Sequence, residues 1–291
     1  MKFKAGYVNI MGNPNVGKST LMNALMGERL AIVTPRAQTT RHRILGILNG
    51  ENHQIVFSDL PGILEPHYRL QEKMLSAVES AMEDADLFLY MAECGDKKFN
   101  ETIVKKILDS AVPVIVVLNK VDTTDQEIVK SEMKFWEGVF PEREVIPVSV
   151  KYNFNLERVM QSILQHLPEH PPYFAEDELT DRSERFFVSE IIREKILLNY
   201  RQEIPYSVEV VVDSFRESEE MVRIEAMIYV NRDSQKAILI GKEGKAIKKA
   251  GTDARIDIEK FLNRKVFLEL RVKVRKGWRD SDLQLKRFGY D

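Results

Sequence analysis

The residues Gly12-Asn-Pro-Asn-Val-Gly-Lys18-Ser19 fit the pattern G-x-x-x-x-G-K-[ST] in full. A β-branched run precedes the motif and a helical pattern follows it, which is the context that a phosphate-binding loop requires. Backbone N–H groups and the start of the helix would then surround the phosphates of a nucleotide. Lys18 is predicted to reach the β- and γ-phosphates, and the Ser19 hydroxyl is predicted to ligate Mg²⁺. The alternative, an accidental glycine-rich turn, explains less of the pattern.

A second motif, Asp59-Leu-Pro-Gly62, follows a short apolar run that ends at Phe57. In a parallel sheet the carboxyl end of such a strand lies beside bound phosphates. Asp59 is therefore predicted to hold Mg²⁺, directly or through water, and the Gly62 N–H to sense a γ-phosphate. By itself Asp-x-x-Gly is a common turn, and the phosphate motif upstream is what favours a functional interpretation.

A third motif, Asn119-Lys-Val-Asp122, follows the longest apolar run of the chain. A carboxylate only accepts hydrogen bonds, so Asp122 suits the two donors of guanine, N1–H and the exocyclic amine, which adenine does not present together. Asn119 is predicted either to contact the base or to tie this loop to the phosphate loop, and the stem of Lys120 to cover the ring. Ser149 and Val150 follow the next strand and are a weak signal by themselves.

A polar segment, Gln38-Thr-Thr-Arg-His42, lies in a stretch without acidic residues from Leu30 to Gly50. A threonine hydroxyl here is predicted to complete the Mg²⁺ shell only when a γ-phosphate is present, which would make the segment a switch between ordered and released states. A polar loop with a threonine turn is the alternative.

These motifs together predict one nucleotide site, in which Lys18, Gly62 and a threonine of the segment 38–42 are the catalytic residues. The predicted nucleotide-binding residues are Gly12, Asn13, Pro14, Asn15, Val16, Gly17, Lys18, Ser19, Thr20, Asp59, Leu60, Pro61, Gly62, Asn119, Lys120, Asp122, Ser149 and Val150. The predicted ligands of Mg²⁺ are Ser19, Asp59 and that threonine.

Periodicity places these motifs on an α/β fold. Apolar runs alternate with helical patterns at 18–26, 69–83, 99–110, 125–137 and 155–166, which predicts a mostly parallel sheet covered by helices over residues 1–170. A proline-rich stretch follows, and residues 171–182 are predicted to be a linker. Residues 183–291 then show the order helix, strand, strand, helix, helix, strand, which predicts a separate α+β domain.

The charge of the chain is divided unevenly between these parts. The 291 residues carry a net charge of −2, which by itself argues against a nucleic-acid binder. Residues 1–170 carry −3 and residues 171–231 carry −7, whereas residues 232–291 contain 17 basic and 9 acidic side chains, a net charge of +8. This asymmetry indicates a polyanion-binding end, with an ordinary solvated surface as the alternative.

The composition excludes several other classes of protein. The single cysteine, Cys94, forms no intramolecular disulfide and favours a reducing, cytoplasmic compartment. The longest apolar run, at 112–118, is too short to span a bilayer, so only peripheral contact with a membrane is left open.

The basic end contains the sequence Gly241-Lys-Glu-Gly244 between two predicted helices. Small residues let the backbone approach a nucleic-acid chain, and lysines at the start of the second helix favour phosphate. The predicted RNA-binding residues are Gly241, Lys242, Glu243, Gly244, Lys245, Lys248 and Lys249. Further along, Arg271, Lys273, Arg275, Lys276 and Arg279 are predicted to add phosphate contacts, and Trp278 to stack on a base. A helix-connecting glycine turn is the alternative for the loop.

Two resemblances follow from these residues. The nucleotide motifs, with Gln38-Thr-Thr-Arg-His42 and the stretch 180–207, resemble the Era GTPases, bacterial ribosome-assembly GTPases with a C-terminal KH domain. The GXXG loop and the element order after it resemble a type II KH domain, whose loop clamps about four nucleotides of single-stranded RNA. The resemblance covers nearly the whole chain. It implies that Thr40 is the threonine that ligates Mg²⁺ and acts in catalysis, and that the Val150 N–H contacts the guanine carbonyl.

The resemblance implies a GTP-hydrolysing switch that binds single-stranded RNA at the 3′ end of 16S ribosomal RNA and assists assembly of the small ribosomal subunit. It implies a cytoplasmic protein, expected to be a monomer. Ras-type GTPases carry a glutamine directly after Asp-x-x-Gly to orient the attacking water, and here Ile63 occupies that position. Ras-like catalysis is thereby excluded, and the resemblance to GTPases with a hydrophobic residue there implies slow hydrolysis stimulated by K⁺, with Asn15 as a ligand of that ion.

Two alternatives remain open at this point. One is an RNA-binding module in which the nucleotide has only a structural role. The other is a GTPase that acts on transfer RNA and shares the Thr-Thr-Arg pattern, although no second catalytic constellation is visible outside the first domain.

Overall fold

The computed structural model describes residues 2–290, which divide into two compact units. The N-terminal unit comprises residues 2–31, 40–66 and 74–181. The C-terminal unit comprises residues 182–290 together with two short segments from the first half of the chain, Ile32–Thr39 and His67–Lys73. The boundaries at 170 and 183 that the sequence suggests stay a prediction.

The N-terminal unit is built on a six-stranded sheet. Its strands are β1 (Lys4–Gly12), β2 (Ile44–Gly50), β3 (His53–Asp59), β4 (Leu87–Glu93), β5 (Val114–Asn119) and β6 (Glu144–Pro147). They are arranged in the order β2-β3-β1-β4-β5-β6, and every pairing is parallel except that of the edge strand β2 with β3. The mostly parallel sheet is thus confirmed. β2 was not predicted, because two of its seven residues are glycines, which weaken the strand signal.

Four helices connect strands of this sheet, and a fifth follows β6. They are α1 (Lys18–Met26), α2 (Arg69–Ala81), α3 (Glu101–Asp109), α4 (Gln126–Val139) and α5 (Leu156–His166), each within three residues of the predicted bounds. Local side chains start two of them, since Asn100 accepts a hydrogen bond from Ile103 N and Asp125 accepts from Ile128 N. One core cluster joins α3 and α4 to the sheet, with Trp136 packed against Tyr90. These helices are thereby packed against the sheet.

Residues 171–181 lie along the β2–β3 side of this sheet. The Gln54 side chain accepts a hydrogen bond from Tyr173 N at 2.7 Å and donates one to Phe174 O at 2.9 Å. Ile47 N donates to Leu179 O at 2.9 Å. Backbone and side-chain hydrogen bonds thus attach this segment to the N-terminal unit.

The C-terminal unit contains an α+β domain. Its elements are α6 (Glu184–Asn199), α7 (Ile204–Ser207), β7 (Glu209–Glu217), β8 (Val222–Val230), α8 (Asp233–Ile240), α9 (Lys245–Leu262), β9 (Val266–Val274) and α10 (Asp282–Arg287). The sheet has the order β7-β8-β9, with β8 and β9 parallel. Its core includes Ile192 of α6, Ile228 of β8 and Ile258 of α9. The predicted element order is confirmed, and the short helices α7 and α10 are additions to it.

Among residues 2–290, no helix combines the length and the apolar character that crossing a bilayer requires.

Candidate functional site

The phosphate loop lies between β1 and α1, as the sequence predicts. Lys18 is 6% exposed, and its Nζ donates to the carbonyl oxygens of Gly12 and Asn13 at 3.1 and 2.9 Å. Burial lowers the pKa of Lys18 to about 8, with nearby Asp59 opposing that change. These hydrogen bonds of the buried ammonium group go to neutral carbonyl groups. A nucleotide phosphate would be a stronger, anionic acceptor for it.

Two glycines of this loop have no room for a side chain. Gly12 and Gly17 have φ angles of 141° and 108°, which side chains rarely tolerate. A Cβ atom on Gly12 would overlap the carbonyl oxygen of Met91, and one on Gly17 would overlap the amide of Asn119. The glycine requirement of the motif therefore comes from the strands beside the loop as well as from its own curvature.

The predicted Mg²⁺ ligands converge. Ser19 Oγ lies 2.6 Å from Asp59 Oδ2, Thr40 Oγ1 lies 3.0 Å from the same oxygen, and the two hydroxyls are 2.9 Å apart. Asp59 is fully buried, and among residues 2–290 its Oδ1 has no hydrogen-bond partner. Burial raises the pKa of the Asp59 carboxyl group, while the bond from Ser19, the charge of Lys18 and the bond from Thr40 oppose that rise.

This cluster fits a magnesium ion. Hydroxyl and carboxylate oxygens are the hard ligands that Mg²⁺ prefers, and the ion leaves room for phosphate oxygens and water. A cation would also satisfy Asp59 Oδ1. Within residues 2–290 no group of three or more His, Cys, Asp or Glu side chains could hold a metal, so the hydroxyl-based cluster is the candidate site.

The residues predicted to recognise the base also meet at the carboxyl edge. Asn119 Nδ2 donates to Val16 O at 2.8 Å, and Asn119 Oδ1 accepts from Val150 N at 3.2 Å. Of the two roles left open for Asn119, the geometry supports tying the loops together. Val150 N–H therefore has a protein acceptor, which a guanine carbonyl would have to share. Asp122 is exposed and is oriented by Ser149 Oγ, which donates to it at 2.6 Å.

The remaining predicted residues of this site are placed around the loop. Asn13 Nδ2 donates to Lys98 O at 2.7 Å, which joins the loop to the segment after β4. A Cβ atom on Gly62 would lie 2.7 Å from Pro14, so the two motifs approach closely. Asn15 is exposed with a φ of 66°. Ile63 is buried, and its N–H donates to Gly12 O at 3.1 Å.

In the C-terminal unit, the GXXG loop joins α8 to α9. Gly241 and Gly244 both have a φ of 73°, and a Cβ atom on Gly241 would lie 2.6 Å from that of Ala246. Backbone geometry thus favours glycine at both positions, and close packing adds to the requirement at Gly241. The predicted lysines Lys242, Lys245, Lys248 and Lys249 are all exposed, and Lys245 pairs with Glu243 at 2.7 Å.

A groove runs beside this loop between α9 and β9. It has a volume of 260 Å³ and is lined by Ile247, Lys248, Gly251, Thr252, Arg255, Leu268 and Leu270. A Cβ atom on Gly251 would lie 3.1 Å from Leu270, so glycine at this position keeps the groove open. Of these residues, only Lys248 was predicted from the sequence to bind RNA. The one feature of the sequence that could have indicated the groove is Gly251, a glycine in the middle of a helical pattern.

The prediction that Trp278 stacks on a base is wrong. Its side chain is fully buried, Nε1 donates to Ser207 O at 3.2 Å, and the ring packs edge-on against Phe288. A residue so enclosed cannot present a ring face to RNA, and Trp278 is instead part of the core.

The fold and the two sites define a phosphate-loop GTPase joined to a KH domain. Residues 7–120 match the family model of the 50S ribosome-binding GTPases, and residues 203–279 match that of the KH domain. The chain belongs to the Era family of GTPases. It is 44% identical to the GTPase Era of Geotalea daltonii over 100% of this chain and 99% of that protein.

Other comparisons agree. The chain is 44% identical to the GTPase Era of Geobacter metallireducens over 99% of this chain and 98% of that protein. It superposes with a TM-score of 0.95, at 38% identity over 99% of each chain, on a crystal structure of Era with MgGDPNP and nucleotides 1506–1542 of 16S ribosomal RNA. The same values hold for a variant of Era from Aquifex aeolicus bound to GDP and AlF₄⁻. The predicted fold class and family are thereby confirmed.

Proposed function

We propose that bound GTP in this chain controls binding of the 3′ end of 16S ribosomal RNA by the KH domain, and that this assists assembly of the small ribosomal subunit. The convergence of Thr40 with Ser19 and Asp59 carries the proposal, because Thr40 can reach a metal only if its segment is ordered. A related Era was crystallised with both a GTP analogue and 16S RNA, which supports both ligands.

The residues of the nucleotide site have distinct roles in this proposal. Lys18 binds the β- and γ-phosphates, and Ser19, Thr40 and Asp59 would hold Mg²⁺. When bound, that ion neutralises charge that develops on the phosphate oxygens. The Gly62 N–H senses the γ-phosphate, and Asp122 selects guanine. The other residues of the phosphate loop shape and position this site.

Hydrolysis is proposed to be slow and stimulated by K⁺. Ile63 is buried and apolar, so no side chain at that position orients a water molecule. Asn15, which is exposed in the phosphate loop, is proposed to be a ligand of that K⁺ ion. We expect turnover in K⁺ to exceed turnover in Na⁺ severalfold, and Asn15→Ala to abolish that difference. Equal turnover in the two salts would contradict the proposal.

The RNA is proposed to contact the GXXG loop with its lysines and to place bases in the groove between α9 and β9. Positive charge attracts the phosphates, and the apolar walls formed by Ile247, Leu268 and Leu270 suit unstacked bases. This assignment predicts that filling the groove weakens RNA binding without affecting the nucleotide site.

The substitution Gly251→Leu tests the groove directly. We expect it to weaken binding of a 16S RNA fragment by at least about tenfold, since the new side chain occupies the space that bases need. Gly138→Leu is the matched control, because Gly138 lies in helix α4 with no atom within 4 Å of an added Cβ. RNA affinity measured by fluorescence anisotropy should change for the first variant only, and GDP affinity for neither.

The whole proposal is tested by comparing RNA affinity in the GTP-analogue and GDP forms, and by co-sedimentation with 30S and 50S subunits. Equal RNA affinity in both forms would favour a structural role for the nucleotide. Binding to the 50S subunit or to transfer RNA alone would contradict the assignment to the small subunit. The monomeric state, the cytoplasmic location and peripheral membrane contact stay predictions.

A further inference from the structure

The segment Ile32–Thr39 is held by helix α6 at both of its ends. Near the start, Val33 N donates to Glu194 Oε1 at 3.3 Å. At the end, Arg193 donates to the carbonyl oxygens of Gln38, at 3.4 Å, and of Thr39. These are contacts within the C-terminal unit, to which the segment belongs. Adjacent residues of α6 thus fix the backbone of the segment that leads directly into Thr40.

The buried guanidinium group of Arg193 needs those carbonyl groups as hydrogen-bond acceptors. Its side chain is 1% exposed, and Nε donates to Glu190 Oε1 at 2.8 Å. The planar guanidinium therefore uses one edge for the carboxylate and leaves the other for main-chain oxygens. A buried cation that loses hydrogen-bond acceptors is strongly destabilised, so release of the segment would change the environment of Arg193. The position of the segment and the packing of α6 are energetically linked.

The second segment of this unit that comes from the first half of the chain strengthens the arrangement. Tyr68 OH donates to Gln38 Oε1 at 2.8 Å, and Arg279 lies 4.6 Å from the centroid of the Tyr68 ring. Gln38 has a φ of 59°, a left-handed conformation uncommon for this residue type. The segment Ile32–Thr39, which precedes Thr40, and the segment His67–Lys73, which follows Gly62, are therefore joined through Gln38.

Helix α6 also contacts the helix that begins at the GXXG loop. Ile192 and Ile196 share a core with Ile258 of α9, and Asn199 Nδ2 lies 3.2 Å from Asp253 Oδ2. Lys195 of α6 forms an ion pair with Asp257 of α9. A change in the position of α6 would thus alter its contacts with α9.

We propose that Arg193 is a positioning residue that couples the GTP state to RNA binding. By fixing the Gln38 and Thr39 carbonyl groups it places Thr40, one peptide bond further on, for metal binding, and through α6 it reports that placement to α9. This inference rests on the proposed switch function and names the residue through which the switch acts.

The experiment compares Arg193→Met, Arg193→Lys and the control Arg185→Met in the full-length protein. Arg185 is an exposed arginine of the same helix, in contact with Phe215. The readouts are the affinities for a fragment matching nucleotides 1506–1542 in the GDPNP and GDP forms, single-turnover hydrolysis of GTP, and affinity for GDP.

For Arg193→Met we expect the GDPNP-to-GDP ratio of RNA affinities to fall to within about twofold of one, and single-turnover hydrolysis to slow by about tenfold. Affinity for GDP should change less than about twofold, because Thr40 is required only with a γ-phosphate; a general folding defect would lower it. Arg193→Lys keeps the charge beside Glu190 without the planar fork, so it should give intermediate values. Arg185→Met should match the unmodified protein.

If Arg193→Met keeps the unmodified protein's ratio of RNA affinities and its rate of single-turnover GTP hydrolysis, the inference is overturned. If that variant fails to fold, Arg193→Lys decides in its place, and unaltered coupling there would overturn it equally. If the unmodified protein itself shows a ratio of one, the proposed switch fails, whereas the rate of single-turnover hydrolysis still decides whether Arg193 positions Thr40.

Discussion

Replacing Asp122 by asparagine is expected to weaken GDP binding by about 10²–10⁴-fold and to give measurable affinity for xanthosine diphosphate. In the proposed site the carboxylate would accept hydrogen bonds from two guanine donors, and each such bond to a charged group contributes about 1.5–3 kcal/mol. Asparagine presents one acceptor and one donor, which suits xanthine, whose C2 carbonyl replaces the exocyclic amine. Fluorescence titration with both nucleotides measures the change.

Two controls separate base recognition from loop stability. Asp125→Asn makes the same chemical change three residues further on, where the side chain caps α4 and asparagine caps equally well, so both affinities should stay unchanged. Ser149→Ala removes the hydroxyl that orients Asp122 and should cost a smaller factor without any gain for xanthine. Retained preference for GDP over xanthosine diphosphate in Asp122→Asn would contradict the role assigned to Asp122.

The nucleotide site could be predicted because its signals are local in sequence. Each motif follows a strand, and parallel strands bring their carboxyl ends to one edge, so Ser19 and Asp59 meet although they lie forty positions apart. Neither the choice between the two roles of Asn119 nor the acceptor of Val150 N–H could be read from the motif, since both depend on how neighbouring loops pack.

Other features depend on tertiary contacts that have no local signature. The groove forms because Gly251 of α9 faces Leu270 of β9, a pairing that the separate helix and strand patterns do not specify. Likewise, the segment Ile32–Thr39 belongs to the C-terminal unit because Arg193 and Glu194, far along the chain, hold its backbone. Charge counting indicated a polyanion-binding C-terminal end, but it could not separate exposed basic residues from core residues there.

Trp278 lies in the basic end of the sequence but belongs to the core. Its replacement by alanine is expected to destabilise the C-terminal domain by about 3–5 kcal/mol. The loss combines a large cavity with the hydrogen bond to Ser207 O and the contact with Phe288. Denaturant unfolding followed by circular dichroism measures the change. Leu283→Ala on the adjacent helix α10 is the control, because Leu283 is 63% exposed and its truncation should alter stability by less than about 0.5 kcal/mol.

Fluorescence distinguishes this structural role from base stacking. The chain has two tryptophans, so in Trp136→Phe all tryptophan fluorescence comes from Trp278. Because Trp278 is fully buried, we expect blue-shifted emission, weak quenching by iodide and no further quenching when saturating 16S RNA fragment is added. A tryptophan that stacks on a base would be quenched by RNA and reached by iodide in the free protein. Strong quenching by either agent would return Trp278 to the RNA interface, whereas weak quenching, together with the loss of stability in Trp278→Ala, would assign Trp278 to the core and exclude it as an aromatic platform for RNA.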